Sequence, residues 1–207
     1  MNKLTATIFA GVLALSACNS VPQKFDVIVV GGGTSGICAG IQASRLGENA
    51  LILEEGPWLG GMLTSAGVSA IDGNYRLRAG IFGEFCDSLA ARYGGYDALR
   101  TGWGIKILFE PRIGEEVLEN MAAAEPLLKV VKNSPLDGVL KSEEGWKVLS
   151  GGRSYTCRIL VDATELGDVA AACGAKYHVG MDSRSYTGEE MASEEALPVV
   201  QDMTWVA

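Results

Sequence analysis

Gly31, Gly33 and Gly36 stand at the spacing G-x-G-x-x-G, and an acid, Glu54, follows 23 residues after the first of them. Glycines at these intervals do work that side chains cannot. The first permits a tight turn, the second lets a diphosphate approach the backbone, and the third lets a helix pack closely on a strand. Thr34 and Ser35 lie inside the motif and add N–H groups at what reads as a helix N-terminus, whose dipole favours an anion. An acid at the end of the following strand can accept hydrogen bonds from both hydroxyls of an adenosine ribose. Glu55 is the neighbouring alternative, and the alternation of the strand favours Glu54.

The elements that must position these residues are legible around them. Phe25 to Val30 is a short, β-branched apolar run, as expected of a strand buried on both faces of a parallel sheet. A helix is expected from Gly36 to about Leu46, with Gly47 at its C′ position, and a second strand over Ala50 to Leu53. Strand, glycine loop, helix and strand ending in an acid form a dinucleotide-binding βαβ unit.

Such a unit alone does not separate FAD from NAD. Five residues beyond Glu55 stand Gly60 and Gly61, followed by Met62. An acid followed by a Gly-Gly pair resembles the extended FAD fingerprint of glutathione-reductase-type flavoproteins. Arg158 to Thr164, then Glu165 to Asp168, resembles the strand and turn by which such proteins return to the FAD domain beside the first strand. Glu165 departs from that pattern, where glycine is common, and its side chain is expected to point away from the cofactor. With Leu59 to Thr64, Phe109 to Pro111 and Ser183 to Glu189, the chain is similar to a bacterial FAD-dependent oxidoreductase family over most of its length. The resemblance implies FAD as cofactor, oxidoreductase activity on a small molecule, and contacts to FAD from Gly31, Gly33, Thr34, Ser35, Gly36, Glu54, Gly60, Gly61, Met62 and Thr164, with the strand at Val131 beside the adenine. Two other readings stay open: an NAD(P)-dependent dehydrogenase, and a truncated nucleotide-binding module without turnover.

Elsewhere the pattern is structural. Helices are expected at about Gly80 to Tyr93 and, with Pro111 at its start, at about Pro111 to Ala123, where Glu115, Glu116 and Glu119 read as a solvated face. Leu127 to Thr156 alternates, with turns expected at Asp137-Gly138 and Ser150-Gly151-Gly152, which predicts an antiparallel meander inserted ahead of the returning strand. The expected fold class is α/β, a Rossmann-like parallel sheet with that inserted meander, incomplete at its C-terminal end, where Thr204 to Ala207 reads as a strand.

The chain of 207 residues is 48% hydrophobic and 20% charged, enough to bury a core. Its net charge of −8, with no Lys/Arg cluster, speaks against a nucleic-acid partner. His178 is the only histidine and none of the five cysteines forms a CxxC pair, so no metal site is expected. With no partnered acid in view, His178 reads as structural, and Cys38 and Cys173 read as buried free thiols. At the front, Ile8 to Leu15 is too short to span a bilayer and suits a signal-peptide core ending in Leu15-Ser16-Ala17-Cys18, which resembles a bacterial lipobox. The expected organisation is a signal over 1–17, a tether over 18–24 carrying lipid on Cys18, and an FAD-binding domain over 25–207 with an inserted segment at about 64–156. That places the protein in a bacterial cell envelope, held to a membrane by its lipid.

Overall fold

The computed structural model describes residues 22–73, 76–100 and 107–202. The signal segment, Cys18 and the strand expected at Thr204 to Ala207 lie outside them.

In chain order the elements are β1 (Gln23–Val30), α1 (Thr34–Arg45), β2 (Ala50–Leu53), β3 (Ala70–Ile71), α2 (Gly80–Tyr93), β4 (Ile107–Leu108), α3 (Pro111–Ala123), β5 (Leu128–Val131), β6 (Leu136–Ser142), β7 (Gly145–Ser150), β8 (Arg153–Asp162), α4 (Asp168–Ala172) and α5 (Arg184–Thr187). A six-stranded sheet in the order β5-β2-β1-β8-β7-β6 forms the centre, and β3 pairs with β4 apart from it. The four strands β5, β2, β1 and β8 run parallel, while β7 lies antiparallel to both β8 and β6.

Strand alternation divides the core between the two faces of the sheet. Val27, Val29, Ala50 and Ile52 face one side, where Ala39 and Ala43 of α1 pack on them. Ile28, Val30, Leu51 and Leu53 face the other, against Val148, Tyr155, Cys157 and Val169 of α4. Both sets are buried, which is why these strands read as continuous apolar runs rather than as alternating ones. A third cluster joins α1, α2 and α3 through Ile37, Ile41, Phe85, Leu89, Val117 and Leu118.

The Rossmann-like parallel arrangement is present, and four details differ from the sequence expectation. The strand β1 begins at Gln23, inside the expected tether, because Gln23 and Lys24 pair with Tyr155 and Thr156 of the long β8. The meander is not separate from the returning strand: β8 is its third member, so β7 and β6 extend the same sheet. Asp137 and Gly138 lie within β6, where the register shifts between Leu136 and Gly138, and the chain reverses instead between the paired Ser142 and Gly145. Glu115 is buried rather than solvated, because Lys132, at the end of β5, reaches over to bond both Glu115 (3.3 Å) and Glu119.

Gly31 and Gly36 fix how closely β1, α1 and β8 approach. Gly31 sits at φ +101°, and a Cβ there would lie 2.2 Å from the Ala163 carbonyl oxygen; a Cβ at Gly36 would lie 1.9 Å from the Gly31 oxygen. These obstacles are backbone atoms, so no rotamer change relieves them. Gly36→Ala is therefore expected to destabilise the fold by about 3 kcal/mol, at the upper end of overpacking costs. Urea unfolding measures this, and an unchanged midpoint would refute the packing argument.

Candidate dinucleotide-binding site

The site is built where β1, β2 and β8 end together. Leaving β1, the Gly31 N–H donates to the Leu53 carbonyl at 2.8 Å, and the Ala163 N–H donates to the Val30 carbonyl at 2.8 Å. Gly33 then caps α1 with no side-chain hydrogen bond. The first-turn N–H groups of this helix are left for an outside acceptor. Thr34 and Ser35 are exposed at that end and Gly36 is buried. The Thr34 hydroxyl donates to the Gly60 carbonyl (3.1 Å).

Glu54 is committed to the same loop. Its Oε2 accepts the Gly32 N–H at 2.6 Å and its Oε1 accepts the Gly56 N–H at 2.7 Å. Each carboxylate oxygen keeps a further lone pair, so the group can also accept from a diol. Glu55 is exposed and Glu54 half-buried, in agreement with the choice made from strand alternation. The backbone of Glu54 is held in turn by β5 and the chain after it: its N–H donates to Val131 and its carbonyl accepts from Ser134, both at 2.9 Å. Val131 thus reaches the site through its carbonyl.

Gly60 and Gly61 close the opposite wall. The Gly60 N–H donates to the Gly32 carbonyl at 2.9 Å, and the two glycines sit at φ +105° and +52°. Met62 follows in a 3₁₀ turn and is 60% exposed. Gly33 and Gly61 touch back to back, since a Cβ at Gly61 would lie 3.2 Å from the Gly33 Cα. The result is a notch of bare backbone before an uncapped twelve-residue helix, with a carboxylate at its side. That combination fits a diphosphate followed by a ribose.

Thr164 and Glu165 form the turn at the end of β8. Thr164 turns inward on its own chain: its N–H and hydroxyl donate to Asp162 Oδ1 at 3.0 and 2.7 Å, and its hydroxyl oxygen accepts the Asp168 N–H at 2.8 Å. Asp162 Oδ2 accepts the Ala170 N–H at 2.7 Å, so Asp162 and Thr164 together start α4. Glu165 does not point away. Its Oε1 lies 3.0 Å from where a Cβ at Gly61 would stand and 3.5 Å from the equivalent point at Gly33. The side chain leans over the notch because Asp162 and Thr164 fix the backbone just before it.

Several participants were not picked out by motif: Gly32 and Gly56 as donors to Glu54, and Asp162 as the anchor of the β8–α4 turn. An Asp two residues before a Thr at a strand end is the kind of signal that marks a self-bonded turn. His178 has a partner after all, with Nδ1 2.7 Å from Asp182 Oδ1 and its ring tilted against that of Tyr186 at 4.7 Å. Cys38, Cys86, Cys157 and Cys173 are free, but Cys38 is only half-buried and Cys173 is exposed, the short α4 presenting only Val169 to the core. Burial pushes the Cys86 and Cys157 thiols up to about 11, which leaves them poor nucleophiles.

Comparison with known proteins gives this geometry a context. A family model described as FAD dependent oxidoreductase matches residues 26–206. NADH:fumarate oxidoreductase of Klebsiella pneumoniae (strain 342) is 38% identical over 65 residues, which are 30% of this chain and 7% of that protein. Among solved structures, OxyS anhydrotetracycline hydroxylase from Streptomyces rimosus superposes with a TM-score of 0.55 at 15% identity, over 78% of this chain and 36% of that one. L-proline dehydrogenase from P. horikoshii gives 0.52 at 14% identity, over 78% and 59% of the two chains. At such identities the structures share the fold, and this chain spans less than two thirds of each protein.

The Asp162 turn generates a pH prediction. Burial raises the Asp162 carboxyl, but hydrogen bonds from the Thr164 hydroxyl and from the N–H groups of Ala170, Thr164 and Val169 outweigh it and hold the group below the usual aspartate range. A carboxylate lowered by folding stabilises the fold above its unfolded-state value, and that contribution is lost as the pH falls through the folded one. Asp162→Asn is expected to lower the thermal midpoint at neutral pH, with the gap to the parent closing below about pH 3.9. A gap independent of pH would show that the charge plays no part.

Proposed function

Because the chain belongs to the FAD-dependent oxidoreductase family, whose cofactor is FAD, we propose that the notch described above is where it holds that cofactor and that electrons pass there between flavin and a small molecule. The observation carrying this reading is the convergence of an uncapped helix, bare glycine backbone and the Glu54 carboxylate on one crevice. The first turn of α1, from Gly33 to Gly36, holds the diphosphate through N–H groups. Glu54 accepts from the adenosine ribose while its bonds to Gly32 and Gly56 keep it from turning away. Gly60, Gly61 and Met62 border the chain linking the diphosphate to the flavin, and Val131 lies on the adenine side. Bound flavin supplies the electron-accepting chemistry itself, so the chain's contribution is position and exclusion of competing contacts. The likeness to NADH:fumarate oxidoreductase, short as it is, makes NADH and fumarate the first pair to try.

The purified chain is expected to carry the visible absorption bands of oxidised flavin, and the full-length protein to support dye-coupled turnover. Colourless protein that takes up NAD would favour the dehydrogenase reading, and flavin without turnover the binding-module reading. Glu54→Ala is expected to weaken FAD retention by about 1–3 kcal/mol, the cost of leaving polar partners unmet. Unchanged affinity would show that the acid has another role.

The lipobox-like Leu15 to Cys18 supports a second element of the proposal, that the mature protein begins at a lipidated Cys18 and is held to an envelope membrane by acyl chains. No helix among the described residues is long and apolar enough to cross a membrane. Cys18→Ala is expected to move the protein from the membrane fraction to the soluble one and to abolish labelling by radioactive palmitate; labelling that persists would refute lipidation at this residue.

A further inference from the structure

Glu54 and Glu165 flank the same crevice, and only one of them is engaged. Both oxygens of Glu54 accept backbone N–H groups of the glycine loop. Glu165 is exposed and has no hydrogen bond or ion pair with any described residue, yet its Oε1 lies over Gly61 and Gly33 at the distances given above. Those two glycines form the notch in which the proposed reading puts the diphosphate. The carboxylate also stands before the uncapped end of α1, where the helix dipole favours a negative group. A carboxylate and a diphosphate want the same donors and repel each other, so they cannot share this place.

We infer that Glu165 is a determinant of cofactor affinity, its carboxylate competing with the diphosphate of FAD for the notch at Gly33 and Gly61. The inference rests on the FAD reading and deepens it. Binding requires the side chain to swing out, and the surroundings allow that. The backbone before it is pinned by Asp162 and Thr164, so the turn stays in place. The residues after it are Leu166, 88% exposed, and Gly167 at φ +76°. The side chain therefore has open solvent to enter. The competition is local to the diphosphate and takes no account of what is attached beyond it. Any ligand carrying a diphosphate on adenosine meets the same carboxylate, whether or not it carries a flavin.

The test measures dissociation constants of FAD and of ADP for the full chain stripped of flavin, for the parent, Glu165→Ala and Glu165→Gln. Glu165→Ala is expected to tighten FAD and ADP by a similar factor, about tenfold if the seat is open roughly one tenth of the time in the parent. Glu165→Gln removes the charge but keeps the bulk, and is expected to fall between the two. Weaker FAD with unchanged ADP would place the carboxylate on the ribityl chain as an acceptor and overturn the proposal. Equal affinities in parent and both variants would overturn it as well. A parent that binds neither ligand would instead defeat the FAD reading, whatever Glu165 does. Thermal midpoints of the two variants within experimental error of the parent confirm that affinity, and not folding, is being read.

Discussion

Backbone packs tightly against backbone where the end of β1, the first turn of α1 and the end of β8 meet at Gly31, Gly36 and Ala163. No side chain could be accommodated there, because a Cβ at either glycine would fall 2.2 Å or less from a carbonyl oxygen. That approach sets the height of α1 above the sheet. The helix height in turn decides that Ile37 and Ile41 reach Phe85 and Leu118 and complete the helical side of the core. It also brings the end of β8 beside the glycine loop, so the turn carrying Asp162, Thr164 and Glu165 borders the site. The geometry that shapes the glycine loop and the geometry that closes the core are the same contact.

Several elements between Ala50 and Ala123 were legible from local signals alone. Strand β2 over Ala50 to Leu53, helix α2 over Gly80 to Tyr93 and helix α3 from Pro111 to Ala123 fall where periodicity and end signals put them. Their identity is local: continuous apolar runs for strands flanked by layers, and a proline or glycine at the boundaries. The acid of the site was legible for the same reason, since one strand's alternation separates Glu54 from Glu55.

The misreadings share a cause, which is partners far away in sequence. Gln23 and Lys24 are strand because β8, more than a hundred residues later, is long enough to pair with them. Glu115 is buried because Lys132 arrives from another element, and the composition of its own helix carries no hint of that. Asp137-Gly138 has turn composition, but the sheet absorbs it as an irregularity in the register of β6. Glu165 was expected to turn outward on the grounds that a cofactor should be left room, whereas it follows a turn fixed by the hydrogen bonds of Asp162 and Thr164 and leans over Gly61 and Gly33.

Two carboxylates of equal charge therefore come to opposite effect within one crevice. Glu54 is held by two N–H donors, so its negative charge is compensated by the loop before any ligand arrives. Glu165 has no such compensation, and its carboxylate lies over Gly33, the cap residue of α1. The difference lies in backbone donors, not in side-chain chemistry. A glycine-rich loop is generous with N–H groups but has a fixed number of them. Gly32 and Gly56 serve Glu54, and those at the head of α1 remain for whichever anion reaches them. On the proposed reading, the acids beside those donors matter to dinucleotide affinity as well as the motif that supplies them.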